Sequence, residues 1–192
     1  TYEGRELGVV FVSSAENLEN IEEIRVANLV NTGFMEGQAE AEQKPFVWLA
    51  YNVHGNESVG MEAAIKTLHT LVSRSYEGAE DWLKECIIVI DPCQNPDGRD
   101  LYANRYRRTQ SVEPNPNPDD WQHHQGWPSA RLNHYLFDLN RDWVWQTQAE
   151  TRQRIEFYNH YMPHVHADFH EMGAGSPFFF APGADPWHEV IS

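Results

Sequence analysis

The sequence predicts an α/β fold, a mostly parallel mixed sheet flanked by helices. Two near-continuous apolar runs, Phe46–Tyr51 and Ile87-Ile88-Val89-Ile90, have the character of strands buried on both faces. Stretches with apolar residues at helical spacing alternate with such runs, the pattern of strand–helix units in one sheet. Polar residues follow the first run directly, in Asn52-Val53-His54-Gly55-Asn56-Glu57-Ser58. They fall at the carboxyl edge of the sheet, where open α/β sheets bind ligands.

The elements follow in order. Leu7-Gly8-Val9-Val10-Phe11-Val12 reads as a strand, and Ser13-Ser14-Ala15-Glu16 as a capping box opening a helix. Leu18, Ile21, Ile24 and Leu29 continue that helix, and Thr32-Gly33 stops it. Residues 35–45 are a polar loop, followed by the strand Phe46–Tyr51. Val59, Ala63, Ile65, Leu68 and Val72 predict a helix over about residues 56–73. The third strand follows at Ile87. Residues 111–128 hold four Pro and form a loop, which their two Trp are expected to pack down. A helix is expected over residues 146–158, a strand at Val165–Phe169 and a short strand at residues 177–180. No internal repeat is present.

Composition narrows the function. The 192 residues, 41% hydrophobic and 12% aromatic, can bury one sizeable core. The formal charge of −15 argues against nucleic acid or an anionic membrane as partner. No apolar run approaches the length of a membrane span. Cys86 and Cys93 bracket a strand whose extended length holds them too far apart to bond, so free, mostly buried thiols are expected. The chain begins at Thr1 without Met or a signal-like segment, as expected of a processed product or a piece of a longer chain.

His54 and Glu57 are three residues apart at a turn-to-helix start, so both can aim at one point. Imidazole plus carboxylate suits zinc, and a third ligand would leave one position for water. Taken alone, the pair also fits a helix start with a solvated Glu. Asn95-Pro96-Asp97-Gly98 is by itself a turn signal. Asn104-Arg105-Tyr106-Arg107-Arg108 carries three Arg in four residues, which in so acidic a chain suggests an anion site beside the plainer reading of a solvated basic patch. Phe137-Asp138-Leu139-Asn140-Arg141-Asp142-Trp143 and His164-Val165-His166-Ala167-Asp168-Phe169-His170-Glu171 complete the set. His170 ends a strand, as His54 does. His166 is expected to be packed or hydrogen-bonded, and His123 and His124 to lie at the surface or a pocket rim.

In order and in type, these motifs resemble the carboxypeptidase A-like zinc metallocarboxypeptidases, starting at Tyr2-Glu3-Gly4-Arg5. The resemblance spans nearly the whole chain. It implies a phosphorylase/hydrolase-like α/β fold and hydrolysis of C-terminal peptide bonds by zinc-activated water. His54, Glu57 and His170 would bind Zn2+. Asp138 would hold the other ring nitrogen of His54, fixing its tautomer. Asn140 and Arg141 would grip the terminal carboxylate of the substrate, for which the planar guanidinium is suited. Arg107 would stabilise the oxyanion; the register there is one residue short of the family's run, so Arg105 and Arg108 remain alternatives. The substrate would be a peptide or protein with a free C terminus, and the location secreted or periplasmic.

The resemblance departs at both ends. The family's general-base Glu, and the mobile Tyr before it, lie beyond the third ligand and have no counterpart before Ser192. Glu171 should face away from the zinc if the strand persists. The family's first helix and strand have none after Thr1. Residues 1–192 are therefore expected to be the central part of a single catalytic domain, able to bind zinc but poorly active. Two other functions compete: a zinc amidase or deacylase on the same scaffold, and a non-catalytic module that recognises peptide C termini.

Overall fold

The computed structural model describes residues 1–113, 115–173 and 176. Among the described residues the sheet has four strands: β1 (Val10–Val12), β2 (Phe46–Tyr51), β3 (Ile87–Asp91) and β4 (Val165–Phe169), in the order β1-β3-β2-β4. β2 runs parallel to both β3 and β4, and β1 is antiparallel to β3. The sheet is thus mixed and mostly parallel, with helices on both faces. The strand expected at residues 177–180 lies outside the described residues.

Alternation along each strand makes the two faces distinct. Phe46, Trp48, Ala50, Ile87 and Val89 pack with Ile24 and Tyr161, under α2 (Ile21–Asn31) and α6 (Ala149–Tyr161). Tyr51, Ile88, Ile90 and Val12 pack with Ala64, Leu71 and Leu83, under α3 (Val59–Val72) and α4 (Ala79–Glu85). Phe46, Trp48, Ile87 and Val89 are fully buried, which accounts for the unbroken apolar runs.

Several expectations need correction. The cap of the first helix is Ser14, whose side chain accepts from Asn17 N, while Ser13 donates to the carbonyls of Leu83 and Cys86. The helix is two pieces, α1 (Ala15–Glu19) and α2, divided at Asn20. In α3 it is Ala63, Ala64, Leu68 and Leu71 that pack on the sheet, whereas Val59, Ile65 and Val72 are exposed. Asn95-Pro96-Asp97-Gly98 opens α5 (Pro96–Thr109): Asn95 accepts from Gly98 N and Pro96 stands in the first turn. Neither α4 nor α5 is evident from apolar periodicity, because α4 is short and α5 is polar around most of its surface.

The Pro-rich loop is not held by its tryptophans, since Trp121 and Trp127 are 67% and 77% exposed. It is held instead by the Arg105 guanidinium, which donates to the carbonyls of Gly126, Trp127 and Pro128. Cys86 and Cys93 are free, and both are partly rather than fully buried.

Candidate metal centre

β2 ends at Tyr51. Asn52 follows, fully buried with φ 57°, a left-handed conformation that Asn tolerates better than most residues. Its Nδ2 donates to the carbonyls of His54 and Glu57, at 2.8 Å each. That bond pair closes the turn carrying both side chains. A Cβ on Gly55 would stand 2.2 Å from the Gly98 carbonyl carbon and 2.5 Å from the Ala130 carbonyl oxygen. Glycine therefore lets the turn lie directly on the first turn of α5.

The third side chain comes from the neighbouring strand. Tyr51 of β2 pairs with Phe169 of β4, and their rings stack at 4.5 Å. His170, one residue on, is thereby brought beside His54, with ring centroids 5.1 Å apart. Donor atoms of His54, Glu57 and His170 all lie within 4.8 Å of one another.

His54 Nδ1 is 2.8 Å from Glu57 Oε1, and His170 Nδ1 is 3.1 Å from Glu57 Oε2. On the far side of each ring, His54 Nε2 is 3.1 Å from Asp138 Oδ1 and His170 Nε2 is 2.9 Å from Asp168 Oδ2. A neutral imidazole has one N–H and satisfies one carboxylate, not two. A cation between the two Nδ1 atoms and Glu57 resolves this for both rings. Each Nε2–H then donates outward, and each Nδ1 lone pair points inward. The donor set of two imidazoles and one carboxylate suits zinc with a further position open.

Asp138 leads into a 3-10 turn, Leu139–Arg141. Its carboxylate accepts from Asn140 N at 2.9 Å as well as facing His54. Leu139 is fully buried and anchors the turn, while Arg141 is exposed and donates to the Asn140 carbonyl. Asp142 is buried and accepts from Thr147 N and Gln148 N, tying the turn to the start of α6. Asn140 Nδ2 lies 3.5 Å from His170 Nε2. The structure thus gathers His54, Glu57, His170, Asp138 and Asn140, with Arg141 on the same turn.

Electrostatics follow from these contacts. Burial pushes the Glu57 carboxyl up, but the His54 hydrogen bond, the Glu171 amide and the charges of both imidazoles hold it below the ordinary range. Burial likewise raises Asp138, and His54, Arg131 and the Asn140 amide outweigh it.

Arg107 and Arg108 lie exposed in the last turn of α5, and neither guanidinium makes a hydrogen bond or ion pair among the described residues. The cation beside the triad is Arg131. Its Nε and Nη2 clasp Asp138 Oδ2 at 3.2 and 3.1 Å, and its Nη1 is 3.6 Å from Glu57 Oε1. Glu171 turns its carboxylate onto Val59 N and Gly60 N at the start of α3, and its own N–H donates to Glu57. His166 lies against the rings of Trp143 and Tyr158. His123 is on the Pro-rich loop, with Nε2 2.7 Å from the Asn115 carbonyl oxygen.

Two residues at the centre were given no role by sequence reasoning. Arg131 has no local signal. Asp168 does have one: a carboxylate two residues before a His on a strand shares its face.

Comparison with known proteins agrees with this geometry. The family model described as "Zinc carboxypeptidase" matches residues 1–179. "Probable carboxypeptidase 2" of Arthroderma benhamiae is 30% identical over 132 residues, 69% of this chain and 20% of that protein. The protein of the same name from Trichophyton verrucosum matches to the same extent. "Carboxypeptidase 2" of Trichophyton tonsurans is 30% identical over 132 residues, covering 69% of this chain and 19% of its own length. The match spans about a fifth of these relatives. With a family match over nearly all of its length, and a His-Glu-His cluster at the carboxyl edge of a mixed sheet, the chain belongs to the zinc carboxypeptidase family.

Proposed function

We infer that the chain supplies the metal centre and the carboxylate clamp of a zinc carboxypeptidase, and that its 192 residues are the central part of one catalytic domain. His54, Glu57 and His170 hold the ion. The observation that carries this reading is that both imidazoles face Glu57 through Nδ1 and a separate carboxylate through Nε2. Bound zinc would lower the pKa of its water and polarise the scissile carbonyl.

The remaining roles fall to this chain's own side chains. Asp138 accepts the His54 Nε2–H and keeps that ring in its tautomer. Asn140 and Arg141, on one turn beside the cluster, grip the free carboxylate of the last substrate residue. That clamp makes cleavage depend on a chain end. Arg107, or Arg108 beside it, is assigned to the developing oxyanion on the family resemblance; Arg105 is committed to the loop carbonyls. Glu171 is committed to the start of α3, which argues against it as the general base; we propose that this group comes from outside the described residues. The substrate is a peptide or protein with a free C terminus.

The test is bound metal on the purified chain beside His54→Ala and His170→Ala, by elemental analysis. About one zinc per chain is expected in the parent, lost in both variants; retention in either would sink this ligand set. Hydrolysis by the chain alone should be poor, because a general base contributes roughly 10²–10⁴-fold. In any longer form that is active, Arg141→Ala should reduce the preference for free over amidated C termini. An unchanged preference would rule out the clamp.

A further inference from the structure

The face of the sheet under α6 carries a row of three paired positions, Asp91 on β3, Ala50 on β2 and Asp168 on β4. Paired residues on neighbouring strands point to the same side. The small side chain of Ala50 leaves a gap between two carboxylates. Arg154 of α6 is buried and lines the same space as Asp91 and Trp48. Its Nη1 donates to Gln94 Oε1 at 2.7 Å, and its guanidinium lies 4.4 Å from the Trp143 ring centroid. Nε and Nη2 have no hydrogen-bond partner among the described residues. Asp91 and Asp168 are the acids whose charges act on it most strongly. A buried cation needs such compensation, and here it is shared between the two ends of the row.

Asp168 stands at the outer end, two residues before His170 and on the same face of β4. Its Oδ2 is 2.9 Å from His170 Nε2, while His170 Nδ1 faces Glu57. The arrangement parallels the other ring. There Asp138 faces His54 Nε2 and is itself clasped by Arg131.

We propose that Asp168 is a positioning residue for His170: it accepts the Nε2–H and so presents the Nδ1 lone pair to the metal. The inference rests on the metal-centre reading above. It places one carboxylate behind each imidazole.

The test is zinc affinity by competition with a chromophoric chelator, together with thermal unfolding of the metal-free protein and the visible spectrum of the cobalt-loaded protein. Asp168→Asn keeps the shape of the side chain but lacks the anionic acceptor. It should raise the zinc Kd roughly 10–100-fold and alter the cobalt spectrum, by more than any loss of metal-free stability accounts for. An Asp168→Asn protein that binds zinc as the parent does would overturn the inference. So would one whose Kd rises only in proportion to lost metal-free stability, since that is a structural role. A parent that takes up no zinc would instead overturn the metal-centre reading, and this inference with it.

Discussion

At the scale of single residues, Glu57 is the hinge of the site. Its two oxygens face two different imidazoles, and Glu171 N–H donates to one of them at 3.0 Å. In the metal-free protein, burial raises its carboxyl and these partners lower it further, so the folded value lies below the ordinary 4.5. An acid with a depressed folded pKa adds stability that is complete above the unfolded value and is lost as pH falls through the folded one. The metal-free chain should therefore lose stability on acidification below about pH 4.5. Glu57→Gln should flatten part of that slope in denaturant titrations across this range. An identical slope in parent and variant would show that Glu57 is not coupled to its neighbours as described.

At the scale of elements, the site depends on how closely the His54 turn seats on α5. A Cβ on Gly98 would meet the Ala130 carbonyl oxygen at 2.6 Å and the Leu132 carbonyl oxygen at 2.8 Å, and backbone has little room to give. Gly98→Ala should destabilise the protein by about 1–3 kcal/mol, the range typical of overpacking, and should weaken zinc binding by displacing the turn. A mutant with parental unfolding midpoint and metal affinity would refute the close approach. The same contact explains why Asn95-Pro96-Asp97-Gly98 is more than a turn signal. Asn95 caps α5, Pro96 suits its first turn, and the helix starts where Gly98 can meet Gly55.

At the scale of the whole molecule, a metal held by the proposed ligands would tie two strands together. His54 and Glu57 follow β2, and His170 follows β4, which is otherwise well exposed at the edge of the described sheet. An ion bound only by the folded state adds RT ln(1 + [L]/Kd), about 4.1 kcal/mol at a thousandfold excess over Kd. At this size each kcal/mol raises the midpoint by roughly 2–4 °C. Thermal unfolding should therefore rise by on the order of 10 °C with zinc and return on adding a chelator. No shift on adding zinc would mean that the ligand side chains do not hold the ion in the folded chain. No helix among the described residues is long and apolar enough to cross a membrane.

The strands and the residues of the metal cluster were legible in the sequence because they rest on local rules. Phe46–Tyr51 and Val165–Phe169 have the bounds expected of them, since burial on both faces needs unbroken apolar runs and Pro163 blocks a helix. His54, Glu57, Asp138, Asn140 and His170 stood in recognisable motifs, and the fold brings them together. The tertiary structure decided what local pattern cannot carry. Whether Trp121 and Trp127 are buried depends on what lies beneath them, and an arginine from α5 anchors their loop instead. The helix α5 was hidden because its residues answer to neighbours rather than to an apolar stripe. Arg131 and Arg154 acquire their places only when distant segments meet, one at Asp138 and Glu57, the other at Gln94 and the Trp143 ring. A ligand's chemistry is written in its own side chain; what holds that side chain still is a property of the packed neighbours.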